Sequence, residues 1–219
     1  MLRPRQPPPM SAAMPETQPI RVETLSGAAL QPLLPVLARL RTAVFRAWPY
    51  LYDGDAAKES EHLAGFAASP RSGIVVAFAG DEPVGASTCL PLSDESDNVK
   101  APFLAHGIAP SRVFYFGESV LLPGLRGQGI GVRFFEEREA HARAVSDADF
   151  ACFCSVERSP SDPRRPADYV PLDAFWRKRG YRPMPGFTCT MRWREVGDTE
   201  ETPHRLNFWG RALRDAPLP

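Results

Sequence analysis

The sequence lacks the features that mark several classes of protein. Its 26 Lys and Arg residues balance its 26 Asp and Glu residues, so the basic surplus typical of nucleic-acid-binding proteins is absent. No apolar run approaches the ~20 residues needed to cross a bilayer. The N-terminal region has no apolar stretch of the kind found in secretory signals. We therefore predict a cytoplasmic protein without a nucleic-acid or membrane partner.

Cysteine is scarce, with four residues in a chain of 219. Cys89, Cys152, Cys154 and Cys189 form no CxxC pair, so the spacing of a zinc site is missing. Cys152 and Cys154 share one face of a predicted strand, where buried and reduced thiols are expected. We predict no metal site.

The chain divides into a short N-terminal segment and one domain. Residues 1–19 are rich in proline and poor in large apolar side chains, which predicts disorder. No linker or repeat interrupts residues 20–219. Their periodicity predicts the order strand, two helices, three strands, helix, strand, helix and two strands. We expect a single α/β (α+β) domain with a mixed sheet.

The segment Leu121–Gly131, LLPGLRGQGIG, joins a predicted strand, VFYFGESVLL, to a predicted helix over about 130–145. Its three glycines, Gly127, Gly129 and Gly131, let the backbone approach a ligand and adopt positive φ. Backbone N–H groups at a helix N-terminus attract anions, and Arg126 adds a charge suited to phosphate oxygens. This segment, called the glycine hinge below, is therefore predicted to bind a pyrophosphate. A tight turn without a ligand is the alternative.

Spacing disfavours two common nucleotide-binding loops at the glycine hinge. The dinucleotide fingerprint GxGxxG fails because Val132 would occupy the position of the third glycine. A Walker A loop needs GK followed by Ser or Thr, which the hinge lacks. An NAD-dependent enzyme is therefore a minor alternative.

The glycine hinge resembles the acetyl-CoA motif of the GNAT acyltransferases, in which an apolar strand end precedes R/Q-x-x-G-x-G/A at a helix start. Arg126, Gly129 and Gly131 take its positions, and the segment FWRKRGY resembles the later FYxxxGF block of the family. The predicted element order also matches the family order, so the resemblance runs from Ile20 to about Leu213. It implies a mostly antiparallel sheet of six to seven strands, flanked by four helices and splayed between the fourth and fifth strands.

The resemblance implies acetyl-CoA as cosubstrate and transfer of its acetyl group to a primary amine of a small molecule or peptide. A backbone N–H of the fourth strand is expected to polarise the thioester carbonyl. No residue stands out as a covalent nucleophile, so direct attack in a ternary complex is expected. Pantetheine is expected along Val120, Leu121 and Leu122, and the pyrophosphate on Arg126, Gly127, Gln128, Gly129, Ile130 and Gly131.

Proton removal is needed because a primary amine is mostly protonated at neutral pH. Glu118 is the candidate base, since burial among apolar neighbours on the predicted strand would raise the pKa of its carboxyl. A structural Glu118, either paired with an arginine or facing water where the strand splays, is the alternative. The family's acidic tyrosine is replaced here by Trp176, whose indole cannot act as an acid near neutral pH. Tyr169 is the nearest phenol and the candidate acid.

The acceptor is expected to meet the loop WPYLYDGD between the first two predicted helices. Tyr50, Tyr52 and Asp53 are candidates to line its pocket, with Asp53 holding a cationic amine. An ordinary turn with half-buried aromatic residues is the alternative.

Other charged residues offer weaker signals. A later loop carries Arg158, Arg164 and Arg165, which could bind an acidic acceptor or the 3′-phosphate of CoA, or be solvated. A non-catalytic CoA-binding module of the same fold is the alternative function, and the replacement of the tyrosine by tryptophan favours it. The sequence leaves the oligomeric state open, a homodimer included. The histidines are scattered and form no recognisable constellation: His62, His106, His141 and His204.

Overall fold

The computed structural model describes residues 19–215 and 218. Of the segment predicted to be disordered, only Pro19 lies within the described residues. None of the helices in the described part of the chain is long and apolar enough to cross a membrane. The elements are β1 (Ile20–Leu25), α1 (Leu34–Phe45), α2 (Ala56–Ala68), β2 (Gly73–Ala79), β3 (Glu82–Pro91), α3 (Asp97–Ala105), β4 (Val113–Leu121), α4 (Ile130–Val145), β5 (Phe150–Val156), α5 (Asp173–Lys178), β6 (Arg182–Arg194) and β7 (Glu201–Ala212).

The strands form one seven-stranded sheet in the order β1-β2-β3-β4-β5-β7-β6. Neighbouring strands are antiparallel except β4 and β5, which run parallel. The β4–β5 pairing joins Val113–Tyr115 to Phe150–Cys152 and then stops in the described chain. Because β4 continues to Leu121 and β5 to Val156, the two strands separate beyond this short pairing. The predicted mixed and splayed sheet is confirmed.

The helices cover both faces of the sheet because neighbouring strand residues alternate between them. Val76 of β2 packs with Leu37 of α1 and Leu63 of α2 in one cluster. Val75, one residue earlier, packs with Phe134 of α4 in another cluster. Helices α1 and α2 therefore lie on one face of the sheet and α4 on the other.

A bulge in β4 lies where the two parallel strands separate. Opposite the single residue Thr88 of β3, β4 places two residues, Gly117 and Glu118. The Glu118 N–H donates to the Thr88 hydroxyl oxygen at 3.2 Å. A Cβ on Gly117 would come within 2.6 Å of that same oxygen, so glycine is required there. A bulge re-aims neighbouring side chains, and this one turns Glu118 towards α1 and α2.

Helix α3 is the element that the sequence analysis missed, so the described residues contain five α-helices where four were predicted. It has only nine residues and contains Pro102, which obscures a helical pattern. Its buried side chains include Val99 and Phe103, four positions apart on one face. The ring of Phe103 lies 5.1 Å from that of Phe187 and 5.2 Å from that of Phe208. Tertiary packing against the sheet stabilises this helix.

Replacing Phe103 by alanine should lower the free energy of unfolding by about 3–5 kcal/mol, because it leaves a cavity between α3 and the sheet. The next residue, Leu104, is 58% exposed and provides a matched control. Leu104→Ala should change stability by no more than about 0.5 kcal/mol. Urea unfolding of the three proteins measures both effects. Equal losses for the two variants would contradict this packing.

Candidate active site

A cavity of about 680 Å³ lies where β4 and β5 separate. Tyr50, Tyr52 and Asp53, the residues predicted to meet the acceptor, all line it, together with side chains from α1, α2, β4 and β6. Much of the wall is aromatic or apolar, and the rest includes charged side chains such as those of Arg41, Glu59 and Glu118. The aromatic and apolar part includes Phe45, Tyr50, Phe66, Tyr115, Trp193 and Leu206.

Arg41 of α1 lies between two carboxylates at this cavity. Its guanidinium forms ion pairs with Glu118 of β4 and Glu59 of α2. Glu59 also accepts a hydrogen bond from the Tyr52 hydroxyl at 2.5 Å. Arg41 and Glu59 are buried, and such a buried cation is tolerated only because opposite charges and hydrogen bonds surround it. Neither residue was predicted from the sequence as a member of the site.

The expected rise in the pKa of Glu118 is wrong. Burial does act in that direction, but the charge of Arg41 and the hydrogen bond and charge of His62 outweigh it and lower the pKa to about 2. The carboxylate is therefore ionised at neutral pH. An anion this weakly basic is a poor proton acceptor by itself. Pairing with an arginine, the alternative considered for this residue, is what the structure shows.

His62 of α2 lies beside Glu118 and was not predicted as a member of the site. Its Nε2 lies 3.6 Å from Oε2 of Glu118, and its side chain is 45% exposed. Its ring packs against Phe66, one turn further along α2, with ring centroids 5.2 Å apart. Glu59, His62 and Phe66 all line the cavity. Their three- and four-residue spacing was a readable signal, since it places them on one helix face.

Both carboxylate oxygens of Asp53 are paired with arginines, so neither is free to bind a cationic amine. One oxygen pairs with Arg46 at 2.8 Å and the other with Arg194 at 2.9 Å. These contacts tie the α1–α2 loop to the end of β6. Glu95 is a different case, because it lines the cavity without a cationic partner among the described residues. One of its oxygens accepts the Ser96 N–H at 2.8 Å.

The arginines of the loop after β5 are mostly engaged in structural contacts. Arg158 and Arg164 both form ion pairs with the buried Glu195. Arg158 also donates to the carbonyl oxygens of Pro49 at 2.6 Å and Tyr50 at 2.9 Å. Neither arginine is therefore free for a phosphate or an acidic acceptor. Their contacts instead hold the α1–α2 loop that carries Tyr50.

Tyr169 lies outside the lining of the cavity. Its ring packs edge-on against Trp48, with centroids 6.0 Å apart, and the Arg165 guanidinium lies 5.6 Å from the ring. Burial raises the pKa of Tyr169, which keeps its proton on the phenol. Trp176 packs against Trp209 at 5.0 Å in the core. The role of Tyr169 as the acid stays a prediction.

Cys154 is the thiol at the cavity wall. Its hydrogen bond to Cys189, followed by burial, raises the pKa of the Cys154 thiol well above its ordinary value. The Tyr115 hydroxyl lies 3.2 Å from its sulfur. A thiol held protonated is a poor nucleophile, which agrees with the expectation of direct transfer.

The glycine hinge presents unpaired backbone donors at the start of α4. Gly127 and Gly129 have φ angles of 78° and 82°, which require glycine, and a Cβ on either would meet nothing within 4 Å. In the described chain, the N–H groups from Gly127 to Gly131 donate to no acceptor. They lie at the positive end of a 16-residue helix, where an anion is stabilised.

The edge of β4 that faces β5 leads from the cavity to this hinge. Beyond Tyr115 it has no strand partner in the described part of the chain. Backbone groups along such an edge can pair with an extended ligand. Val120 and Leu121 lie on this stretch, whereas the Leu122 N–H already donates to the Val84 carbonyl oxygen at 3.1 Å. Strand β4 therefore carries cavity-lining residues at Gly117 and Glu118 and runs on to the hinge at Leu121.

The fold of the chain, with its sheet opened between two parallel strands, was compared with those of known proteins. No protein-family model matches the chain, and no curated protein is significantly similar to it. Among solved structures, the ribosomal-protein-alanine N-acetyltransferase from Brucella melitensis matches with a TM-score of 0.57 and 14% sequence identity, over 88% of this chain and 99% of that chain.

Two other solved structures match over similar lengths. The loading GNATL domain of CurA from Lyngbya majuscula has a TM-score of 0.56 and 17% identity, covering 89% of this chain and 98% of that chain. The yncA protein from Salmonella typhimurium, solved with its cofactor acetyl-CoA, has a TM-score of 0.53 and 10% identity, covering 91% and 97%. The chain therefore has the fold of the GNAT acetyltransferases, and the resemblance seen in its glycine hinge is confirmed at the level of the fold.

Replacing Glu118 by glutamine should lower the free energy of unfolding by roughly 1–3 kcal/mol near neutral pH, since Arg41 loses a buried charged partner. The folded-state pKa of Glu118 is about 2, below the ~4.3 of an unperturbed glutamate. Its charge therefore stabilises the fold above about pH 5, and this contribution is lost as the pH falls towards about 2.

Urea unfolding of wild type and Glu118→Gln between about pH 7 and about pH 3 measures this difference, which should shrink in acid. Glu157→Gln is the control, because the exposed Glu157 side chain pairs with Arg205 only at the surface. A difference that stayed constant down to about pH 3 would show that Glu118 is not held in its charged form.

Proposed function

We propose that the protein is an N-acyltransferase that transfers an acetyl group from acetyl-CoA to a primary amine of a small molecule or peptide. The observation that carries the proposal is the row of unpaired amides in the glycine hinge, from Gly127 to Gly131, beside the open edge of β4. Tyr115, Gly117 and Glu118 of the same strand line the cavity. The fold shared with acetyltransferases, one of them solved with acetyl-CoA, supports the same reaction class.

The residues present fit acetyl-CoA. The amides from Gly127 to Gly131 and the side chain of Arg126 would hold the pyrophosphate, because they combine unpaired donors with a formal positive charge. The backbone of Val120 and Leu121 would hold the pantetheine along the open strand edge. Acetyl-CoA supplies an activated acyl thioester when bound, and the chain supplies position and proton removal.

Acyl transfer needs the amine and the acyl group to meet at the β4 bulge. The amine nitrogen forms a bond to the acyl carbon, the carbon–sulfur bond breaks, and both reactants are bound together in a ternary complex. A backbone N–H of β4 is proposed to polarise the acyl carbonyl. Glu118 lines this end of the cavity, and its ionised carboxylate attracts the ammonium form of the acceptor. The departing sulfur takes a proton from Tyr169 or from water.

The cavity favours an acceptor that combines a cationic amine with an apolar or aromatic body. Tyr50, Phe66 and Trp193 offer aromatic surface, on which a flat or apolar group can pack. Glu95 offers a carboxylate without a cationic partner in the described chain. An aromatic or apolar amine with a second positive charge would satisfy both features.

A panel of amines tested in a CoA-release assay, with acetyl-CoA affinity measured by calorimetry, tests the proposed function. We expect acetyl-CoA to bind and at least one apolar or aromatic amine to be acetylated, with the product identified by mass spectrometry. Binding without release of CoA for any amine would contradict the proposal and favour a CoA-binding module. Binding of a nicotinamide cofactor that survives competition by CoA would favour the dehydrogenase alternative.

Gly129→Glu should abolish measurable acetyl-CoA binding, because it adds bulk and negative charge beside the amides proposed to hold the pyrophosphate. The φ of 82° at Gly129 also strains any other residue. Gly107→Glu is the matched control, since Gly107 has a φ of 72° and open space within 4 Å of a Cβ. Calorimetry should show normal affinity for Gly107→Glu. Normal affinity for Gly129→Glu would refute the phosphate role of the hinge.

A further inference from the structure

The contact between His62 and Glu118 points to a proton acceptor other than Glu118, the base predicted from the sequence. We propose that His62 takes the proton from the amine, and that Glu118 is a positioning residue that orients the imidazole. This inference rests on the proposed function, because it concerns the same cavity and the same acceptor. It makes α2, and not β4, the element that carries the base.

The geometry places the imidazole between the cavity and the buried carboxylate. His62 lines the cavity and its side chain is 45% exposed, whereas that of Glu118 is 10% exposed. The Nε2 atom of His62 faces Glu118 at 3.6 Å. Its Nδ1 atom has no hydrogen-bond partner within residues 19–215, so one ring nitrogen is unpaired. An acceptor entering the cavity therefore reaches His62 more readily than Glu118.

Glu118 is held too firmly to serve as the base. One carboxylate oxygen is paired with Arg41, and the other faces His62. Arg41 in turn is anchored by Glu59, which accepts the Tyr52 hydroxyl. With these partners Glu118 is strongly acidic, whereas an imidazole is the side chain that exchanges protons near neutral pH.

Charged groups surround His62 from several elements. Arg41 lies on α1 and Glu118 on β4, while Lys58 and Glu59 lie on the same helix as His62; all four line the cavity. The other charged residues that line the cavity are Asp53, Asp55, Glu95, Arg192, Arg194 and Glu201. Glu118 is the carboxylate within 4.0 Å of the His62 ring among the described residues, so it stabilises the imidazolium that forms.

The proton balance of the reaction is then complete. The imidazole of His62 takes one proton from the ammonium group, which becomes a neutral amine, and later releases that proton to solvent. The amine nitrogen bonds to the acyl carbon and the carbon–sulfur bond breaks. The second proton lost by the nitrogen ends on the sulfur of CoA. In this first step the positive charge moves from the ammonium group to the imidazole of His62, so the net charge in the cavity does not change.

His62→Ala and His62→Gln test the inference with an amine that the wild-type protein acetylates. Near neutral pH, kcat/KM should fall by roughly 10²-fold or more, since a general base contributes on this scale. The rate should recover at alkaline pH, where the amine loses its proton to solvent, and added imidazole should restore part of the His62→Ala rate at neutral pH. Acetyl-CoA affinity should not change.

His141→Gln is the matched control, because His141 lies on α4 outside the cavity and hydrogen-bonds the Arg71 carbonyl oxygen at 3.1 Å. Its pH–rate profile should equal that of wild type. Glu118→Gln should move the acidic limb of the profile to lower pH, because the imidazolium loses its carboxylate partner. A merely structural role for Glu118 would lower the rate without moving this limb.

The outcomes separate this inference from the proposed function. If wild type acetylates amines and both His62 variants keep its kcat/KM and its acidic limb, His62 is not the base and the proposed function stands. If wild type binds acetyl-CoA but releases no CoA with any amine, the proposed function is overturned, and the assignment of His62 is overturned with it. A loss of rate in both variants with recovery at alkaline pH supports the inference.

Discussion

The parallel pairing of β4 with β5 lasts for three residues, Val113 to Tyr115, and the rest of the site depends on where it stops. Beyond that point the Gly117–Glu118 bulge bends β4 away from its neighbour. The separation opens a strand edge and the cavity, and it lets β4 run directly into the glycine hinge. A fully paired β4 and β5 would close this gap.

A chain of buried charges gives the cavity its polarity. Arg41 bridges Glu59 and Glu118, and so joins α1, α2 and β4 through one guanidinium. Removing these charges from water is costly, and the mutual pairing offsets that cost. The same arrangement keeps Glu118 ionised and leaves the His62 side chain at the cavity wall. The stability of this region and its proposed proton chemistry therefore share the same contacts.

The features that could be predicted from the sequence are those determined by residues close together in the chain. The hinge was recognised because glycine spacing and a following apolar helix are local signals, and the boundaries predicted for α4 match the structure. Helix α3 was missed because nine residues with an internal Pro102 carry little periodicity of their own. Tyr50, Tyr52 and Asp53 line the cavity, and their role towards an acceptor stays a prediction, whereas the ion pairs of Asp53 depend on tertiary contacts.

The sequence by itself determined the order of the seven strands and of four of the five described α-helices, and the position of the glycine hinge, because each follows from residues that are adjacent in the chain. Only the tertiary structure decided the state of the groups in the cavity. Arg41, His62 and Glu118 come from α1, α2 and β4, and they meet only after the helices pack on the sheet. A pKa depends on the charges within a few ångströms, and that environment does not exist before folding.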